Sequence, residues 1–157
     1  VGKTTLGKIV AKKQELKFID IDASIVKKNS MTIKEIFKKK GEKFFRMEEE
    51  KEVLKSLEKN NCVIALGGGA FMNKTLRENI LKNSISIWLN VDIKTLSKRV
   101  KWNQKRPLLN QESNQKKLTE LYTERKDIYK LADHKIVCDK LSKENIAKKI
   151  IALYEKY

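Results

Sequence analysis

Gly2, Lys3, Thr4 and Thr5 stand together at the head of this 157-residue chain. With Val1 they match the back half of the phosphate-binding pattern G-x-x-x-x-G-K-[ST]. Gly2 lets backbone approach a phosphate closely, and Lys3 supplies a mobile ammonium for β- and γ-phosphates. The Thr4 hydroxyl can hold Mg²⁺. A helix starting near Thr4 adds backbone N–H groups and a favourable dipole for an anion. Alone the pentapeptide is a weak signal, since G-K-T also arises by chance in a Lys-rich chain, where it would be an exposed, frayed terminus.

Further candidates follow along the chain. Lys17–Asp22 is a short β-prone run ending in acid, and a period of two puts Asp20 and Asp22 on one face. Two carboxylates at a strand's carboxyl end could hold the shell of a metal ion and accept a hydroxyl proton. Equally, Asp22 could cap a following turn or helix. Arg46 is either a guanidinium fork for a carboxylate or an intrahelical partner of Glu49 or Glu50. Gly67-Gly68-Gly69 directly follows an apolar run. It either lets a ligand lie on bare backbone or forms a flexible turn. Arg125 falls on an otherwise apolar helical stripe, and a buried guanidinium calls for a carboxylate or a ligand.

The elements that must position these residues alternate. A helix is expected from Thr4 to about Gln14, burying Leu6, Ile9 and Val10. Thr32 and Glu35 form a capping box for a helix that buries Ile33, Ile36 and Phe37 and stops near Gly41. A second helix runs from about Glu42 to Lys59. Cys62–Leu66 reads as a fully buried parallel strand. A helix near Lys74–Lys82 precedes the strand Ile85–Leu89, and Asp92 can cap the helix carrying Leu96 and Val100. From Lys101 to about Asn114, around Arg106 and Pro107, the pattern dissolves into what reads as a lid loop. A helix from about Asn114 to Lys130 buries Leu118, Leu121, Tyr122 and Tyr129. Lys135–Cys138 is a last strand, and Ser142 caps a final helix with Ile146, Ile150 and Leu153 inward. Strands alternating with helices imply an α/β fold with a parallel sheet. One domain, 1–157, is expected, with a helical excursion at about 23–60 and the lid at about 101–114.

Composition narrows the classes. A 40% hydrophobic content supports a folded chain. No apolar run reaches the ~20 residues that span a bilayer. The net charge of +16 reads mainly as lysines on solvated helix faces. No basic block interleaved with aromatics points to nucleic acid. Cys62 and Cys138 lack metal or redox spacing and read as two buried thiols in a reducing cytoplasm. His134, the only histidine, sits at a loop-to-strand junction without a chemical role.

In order and spacing, five features resemble those of the shikimate kinases, which share the nucleoside-monophosphate-kinase-like P-loop fold. They are Gly2-Lys3-Thr4-Thr5; Asp20-Ile21-Asp22; Phe45-Arg46-Met47-Glu48-Glu49; Gly67-Gly68-Gly69; and Arg106-Pro107-Leu108-Leu109 followed by Arg125 and Tyr129. The resemblance covers nearly the whole chain and implies a three-layer α/β/α fold whose central parallel sheet is ordered 2-3-1-4-5. It implies transfer of the γ-phosphate of ATP to the 3-hydroxyl of shikimate, a step towards chorismate and the aromatic amino acids. Gly2, Lys3, Thr4, Thr5, Arg99 and Arg106 would then bind ATP, with Arg99 stacked on adenine. Thr4 would ligate Mg²⁺, and Asp20 would hold a metal-bound water. Lys3, Asp22 and Arg106 would be catalytic, Asp22 as candidate proton acceptor. Asp22, Arg46, Gly67, Gly68, Gly69 and Arg125 would bind shikimate, the two arginines through its carboxylate. A cytoplasmic monomer acting on small molecules, without nucleic acid or membrane, is implied. The first strand of that sheet, central in the order, is missing from the sequence. A slot between two strands is therefore expected, together with a longer natural chain.

Overall fold

The computed structural model describes residues 2–92 and 113–157. Its elements are α1 (Lys3–Lys13), β1 (Lys17–Asp20), α2 (Ile21–Asn29), α3 (Ile33–Lys40) and α4 (Glu42–Leu57). There follow β2 (Cys62–Ala65), a 3₁₀ turn (Ala70–Met72), α5 (Lys74–Asn83), β3 (Ile87–Asn90), α6 (Ser113–Tyr129), β4 (His134–Val137) and α7 (Lys143–Tyr154). The helix expected after Asp92, with Leu96 and Val100, and most of the lid lie outside the described residues.

The strands form two parallel pairs. β1 lies beside β2 with Lys17 opposite Cys62 and Asp20 opposite Ala65. β3 lies beside β4 with Ile87 opposite His134 and Asn90 opposite Val137. Among the described residues no strand joins the pairs. β2 is half-buried throughout rather than fully buried.

Helices cover both faces. Strand periodicity turns Val63 towards one core and Ile64 towards the other. On the first face Leu6, Val10, Ile136, Cys138, Ile146 and Ala147 join α1, β4 and α7. On the second, Ile21, Ile25, Ile36, Phe45, Val53, Leu76 and Ile80 join α2 to α5. Ile21, Ile25, Ile36 and Val53 are wholly buried, each contributing roughly 1.5–3 kcal/mol. This second core fixes the helices that carry the site.

Several expectations change in detail. Asp20 and Asp22 do not share a strand face. β1 stops at Asp20, which caps α2 by accepting from the Ala23 N–H at 3.1 Å, and Asp22 lies in that helix's first turn. A carboxylate that satisfies a free helical N–H outcompetes one more strand residue. The Glu35 carboxylate meets the Thr32 hydroxyl at 3.2 Å rather than a backbone N–H. Leu121 is exposed, because the inward stripe of α6 runs through Leu118, Tyr122, Arg125 and Tyr129. Cys138 is buried as expected, but Cys62 is only half-buried. His134 opens β4, with its Nε2 2.8 Å from the Tyr157 hydroxyl.

Candidate active site

The first part of the site is built on the start of α1. Gly2 caps that helix in the left-handed region, with φ 76°, which costs a glycine little. Lys3 extends from the first turn and donates its ammonium to the Leu66 carbonyl at 2.5 Å. The Thr4 hydroxyl donates to Asp20 Oδ2 at 2.8 Å. Asp20 thus spends one oxygen on α2 and the other on Thr4, tying two helix starts together at the carboxyl end of β1. Thr5 is exposed one residue further along α1.

The second part is built on the glycine run after β2. At each glycine a charged group occupies the space a side chain would need. A Cβ on Gly67 would sit 3.2 Å from Asp22 Oδ1 and 3.2 Å from Glu49 Oε2. On Gly68 it would collide with the Arg125 guanidinium and reach the Tyr129 hydroxyl, and on Gly69 it would collide with the Arg46 guanidinium. Groups from α2, α4 and α6 therefore converge on three consecutive residues. Leu66, immediately before them, holds Lys3, so the two parts adjoin.

The charges are paired in advance. Arg46 Nη1 contacts Glu49 Oε1 at 2.9 Å, and Arg46 Nη2 lies 3.6 Å from Glu42 Oε1. Glu49 is 2% exposed. Burial pushes its carboxyl above the usual carboxylate range, the Arg46 hydrogen bond pulls it back, Asp22 raises it and Arg125 lowers it. Burial likewise raises the Tyr129 phenol, and the Arg125 charge opposes that rise. A planar guanidinium held by one carboxylate keeps donors for a second, so Arg46 can serve both of the roles its sequence left open.

The structure brings together Gly2, Lys3, Thr4 and Asp20 at one end and Asp22, Arg46, Gly67, Gly68, Gly69 and Arg125 at the other. Arg99 and Arg106 lie outside the described residues. Two residues of this cluster, Glu49 and Tyr129, were not singled out from the sequence as site residues. Glu49 does carry a signal. It falls four residues after Phe45 and four before Val53, on the buried stripe of α4, where an unpaired glutamate would be costly. Tyr129 had its place on the α6 stripe and its spacing four residues after Arg125, but no role attached to it.

A glycine-capped helix start carrying Lys3 and Thr4, beside a cluster of guanidinium and carboxylate groups on a parallel α/β fold, is the arrangement of a small-molecule kinase of the P-loop class. The comparisons agree. The family model for shikimate kinase matches residues 1–155. A shikimate kinase of Sulfurihydrogenibium is 39% identical over 96% of this chain and 89% of its own length. One of Bartonella henselae is 38% identical over 100% of this chain and 75% of its own length. Among solved structures, shikimate kinase from Acinetobacter baumannii in complex with shikimate superposes with a TM-score of 0.91 at 31% identity, covering 99% of this chain and 87% of that one. The chain belongs to the shikimate kinase family.

Proposed function

We propose that the chain transfers the γ-phosphoryl group of ATP to the 3-hydroxyl of shikimate, giving ADP and shikimate 3-phosphate on the route to chorismate and the aromatic amino acids. One observation carries this reading: two guanidinium groups and a carboxylate converge on Gly67–Gly69, directly beyond the carbonyl that holds Lys3. Arg125 and Arg46 suit the substrate's carboxylate, and Asp22 suits its ring hydroxyls.

Phosphoryl transfer asks for alignment and for opposition to spreading negative charge. Lys3 leaves the Leu66 carbonyl for the β/γ-phosphates, and the first N–H groups of α1 take the remaining charge. Gly67, Gly68 and Gly69 let the acid lie against backbone, with the Gly68 N–H its direct contact. Asp22, beside Gly67, accepts the hydroxyl proton. The family resemblance assigns Arg106 to neutralise the transferring group from the lid at about 101–114, and Arg99 to adenine. The same resemblance makes residues 23–60 the acid-binding region of a single domain and the protein a cytoplasmic monomer. Among the described residues no helix is long and apolar enough to cross a membrane.

The oxygen donors at Thr4 and Asp20, held 2.8 Å apart at an anion-binding helix start, fit a Mg²⁺ ion that keeps most of its waters. Thr4 would hold it directly and Asp20 through water. When bound, the ion offsets charge on the phosphates.

The test is ADP release from Mg-ATP with and without shikimate, using the full-length chain and Arg125→Ala. Release is expected to depend on shikimate, with KM for shikimate raised roughly 10–100-fold in the variant. Turnover with another acid, and never with shikimate, would overturn the substrate assignment.

A further inference from the structure

The Tyr129 side chain has a position that neither substrate binding nor phosphoryl transfer has yet used. Tyr129 ends α6, four residues after Arg125, so both face the same side of the helix. Its hydroxyl donates to the Gly68 carbonyl, sixty-one residues away in sequence. Its ring is wedged between aromatic neighbours on two other elements, 6.3 Å from Phe71 and 5.8 Å from Trp88 between centroids. The ring position is therefore set by packing, and the hydroxyl by the Gly68 carbonyl together with Arg125.

That carbonyl lies between those of Gly67 and Gly69, which accept from the Ala70 and Met72 N–H groups at 3.2 Å each. Three consecutive glycines have no side chains to hold them and lose the most freedom on ordering. Fixing the Gly68 carbonyl fixes the peptide plane between Gly68 and Gly69, which leaves only the two torsions of Gly68 between that plane and the Gly68 N–H. The phenol oxygen also interacts with the Arg125 guanidinium. Arg125 Nη1 and Tyr129 Oη both border the space beside Gly68. One hydroxyl thus touches the loop and one of the two arginines at once.

We propose that Tyr129 is a positioning residue for acid recognition: its hydroxyl locks the Gly68 peptide and the Arg125 guanidinium in mutual register, so that the carboxylate site is assembled before the acid arrives. This rests on the function proposed above. It extends that function by making α6 the element that orders the glycine run. A preorganised site avoids spending binding energy on ordering. The consequence is specific to the acid. Among the described residues, the contacts of Lys3 and Thr4 run to the Leu66 carbonyl and to Asp20, and those of the phenol to Gly68 and Arg125.

The experiment compares Tyr129→Phe with the native full-length chain, which must first turn over shikimate. That first step fails if the proposed function is wrong, before Tyr129 is in question. Phenylalanine keeps the ring between Phe71 and Trp88 and removes only the hydroxyl. KM for shikimate is expected to rise about five- to tenfold, with KM for ATP and kcat within about twofold and the melting temperature little changed. The loss is expected to vanish with the shikimate analogue whose carboxylate is replaced by hydroxymethyl. An unchanged KM for shikimate overturns the proposal. So does a fall in kcat and a rise in both KM values that track a lowered melting temperature, since that marks a merely structural residue.

If Tyr129→Phe does not fold, 3,5-difluorotyrosine at position 129 keeps the shape and ionises at lower pH. Its phenolate cannot donate to the Gly68 carbonyl. KM for shikimate is then expected to rise with pH in the fluorinated protein and to stay flat in the native one. Arg125, Arg46 and Glu49 act on the phenol in both proteins, so the difference between the two profiles isolates it. Superimposable profiles overturn the proposal.

Discussion

The two ends of the site are built differently. The phosphate end uses neighbours: Gly2, Lys3 and Thr4 are consecutive, and Asp20 is sixteen residues from Thr4. Thr4 is exposed, and most of this end's geometry follows from one helix beginning at one place. The acid end gathers Asp22, Arg46, Glu49 and Arg125 from α2, α4 and α6 around three glycines. There the charges are buried or half-buried, and Arg46 is paired with Glu49. A polyphosphate carries charge enough to be caught by a helix start and a mobile lysine. A single carboxylate on a small ring must instead be met by groups already in place, or its binding energy goes into ordering them. The first end needs a motif, and the second needs a fold.

This contrast predicts which end answers to which substitution, and the largest effect belongs to the phosphate end. Lys3→Met should lower kcat about 10²–10³-fold by removing a cation that opposes charge in the transition state. Shikimate affinity, measured by calorimetry without nucleotide, should stay within about twofold, because the acid end does not depend on Lys3 for its shape. Joint loss of turnover and acid affinity would break the separation, making the Lys3 contact with the Leu66 carbonyl a brace for the glycine run.

Glu49→Gln sharpens the other side. Glu49 is buried and holds Arg46, so the amide should leave that fork less well aimed. KM for shikimate should rise about tenfold while KM for ATP holds, as steady-state kinetics would show. The same residue gives a pH signature. Its carboxyl is raised in the folded protein, chiefly by burial. Between the ordinary glutamate value of 4.5 and that raised value, the folded chain binds more protons than the unfolded one. Its contribution to stability therefore falls as pH climbs through the window and stays low above it. Glutamine does not titrate. The melting temperature of Glu49→Gln relative to the native chain should thus move in the variant's favour as pH rises from about 4.5 towards neutrality. A difference that is flat across that range would mean Glu49 titrates normally and Arg46 fully compensates its burial.

The same contrast explains what could be read from sequence. The phosphate end was legible because its residues are adjacent and its geometry is a helix start, a local event. Parallel α/β architecture was legible because apolar periodicity switches repeatedly between two and 3.6. Asp22 was found but misplaced: period-two reasoning assumed that the strand continued, while the Asp20 carboxylate started a helix instead. Arg125 was legible as a charge on an apolar stripe, but its destination was not, because nothing local says that α6 lies over Gly68. Glu49 was legible only as an intrahelical partner of Arg46, which it is. Its place beside Gly67 was not, because nothing local says that α4 packs over the glycine run.

The smallest effect tests whether α2 and α4 matter to the site singly or as a pair. Lys28 bridges them by contacting Glu48 at 2.8 Å, with the lysine side chain 48% exposed and the glutamate 7%. The hydrogen bond to Glu48 raises the Lys28 ammonium above its usual value, against a smaller opposing effect of burial. A bond with one partner in water is weak and screened by salt. Yet these two helices carry Asp22 and Arg46, two members of the acid end. Lys28→Met should therefore cost little stability at low salt and less at high salt, by thermal melts. KM for shikimate should rise at most about twofold and KM for ATP should not move, since the shared core of Ile21, Ile25, Phe45 and Val53 already sets the distance between the helices. A rise in KM for shikimate as large as that of Glu49→Gln would mean that packing alone does not hold the acid end. The bridge would then belong to the site itself, and preassembly would reach the protein surface.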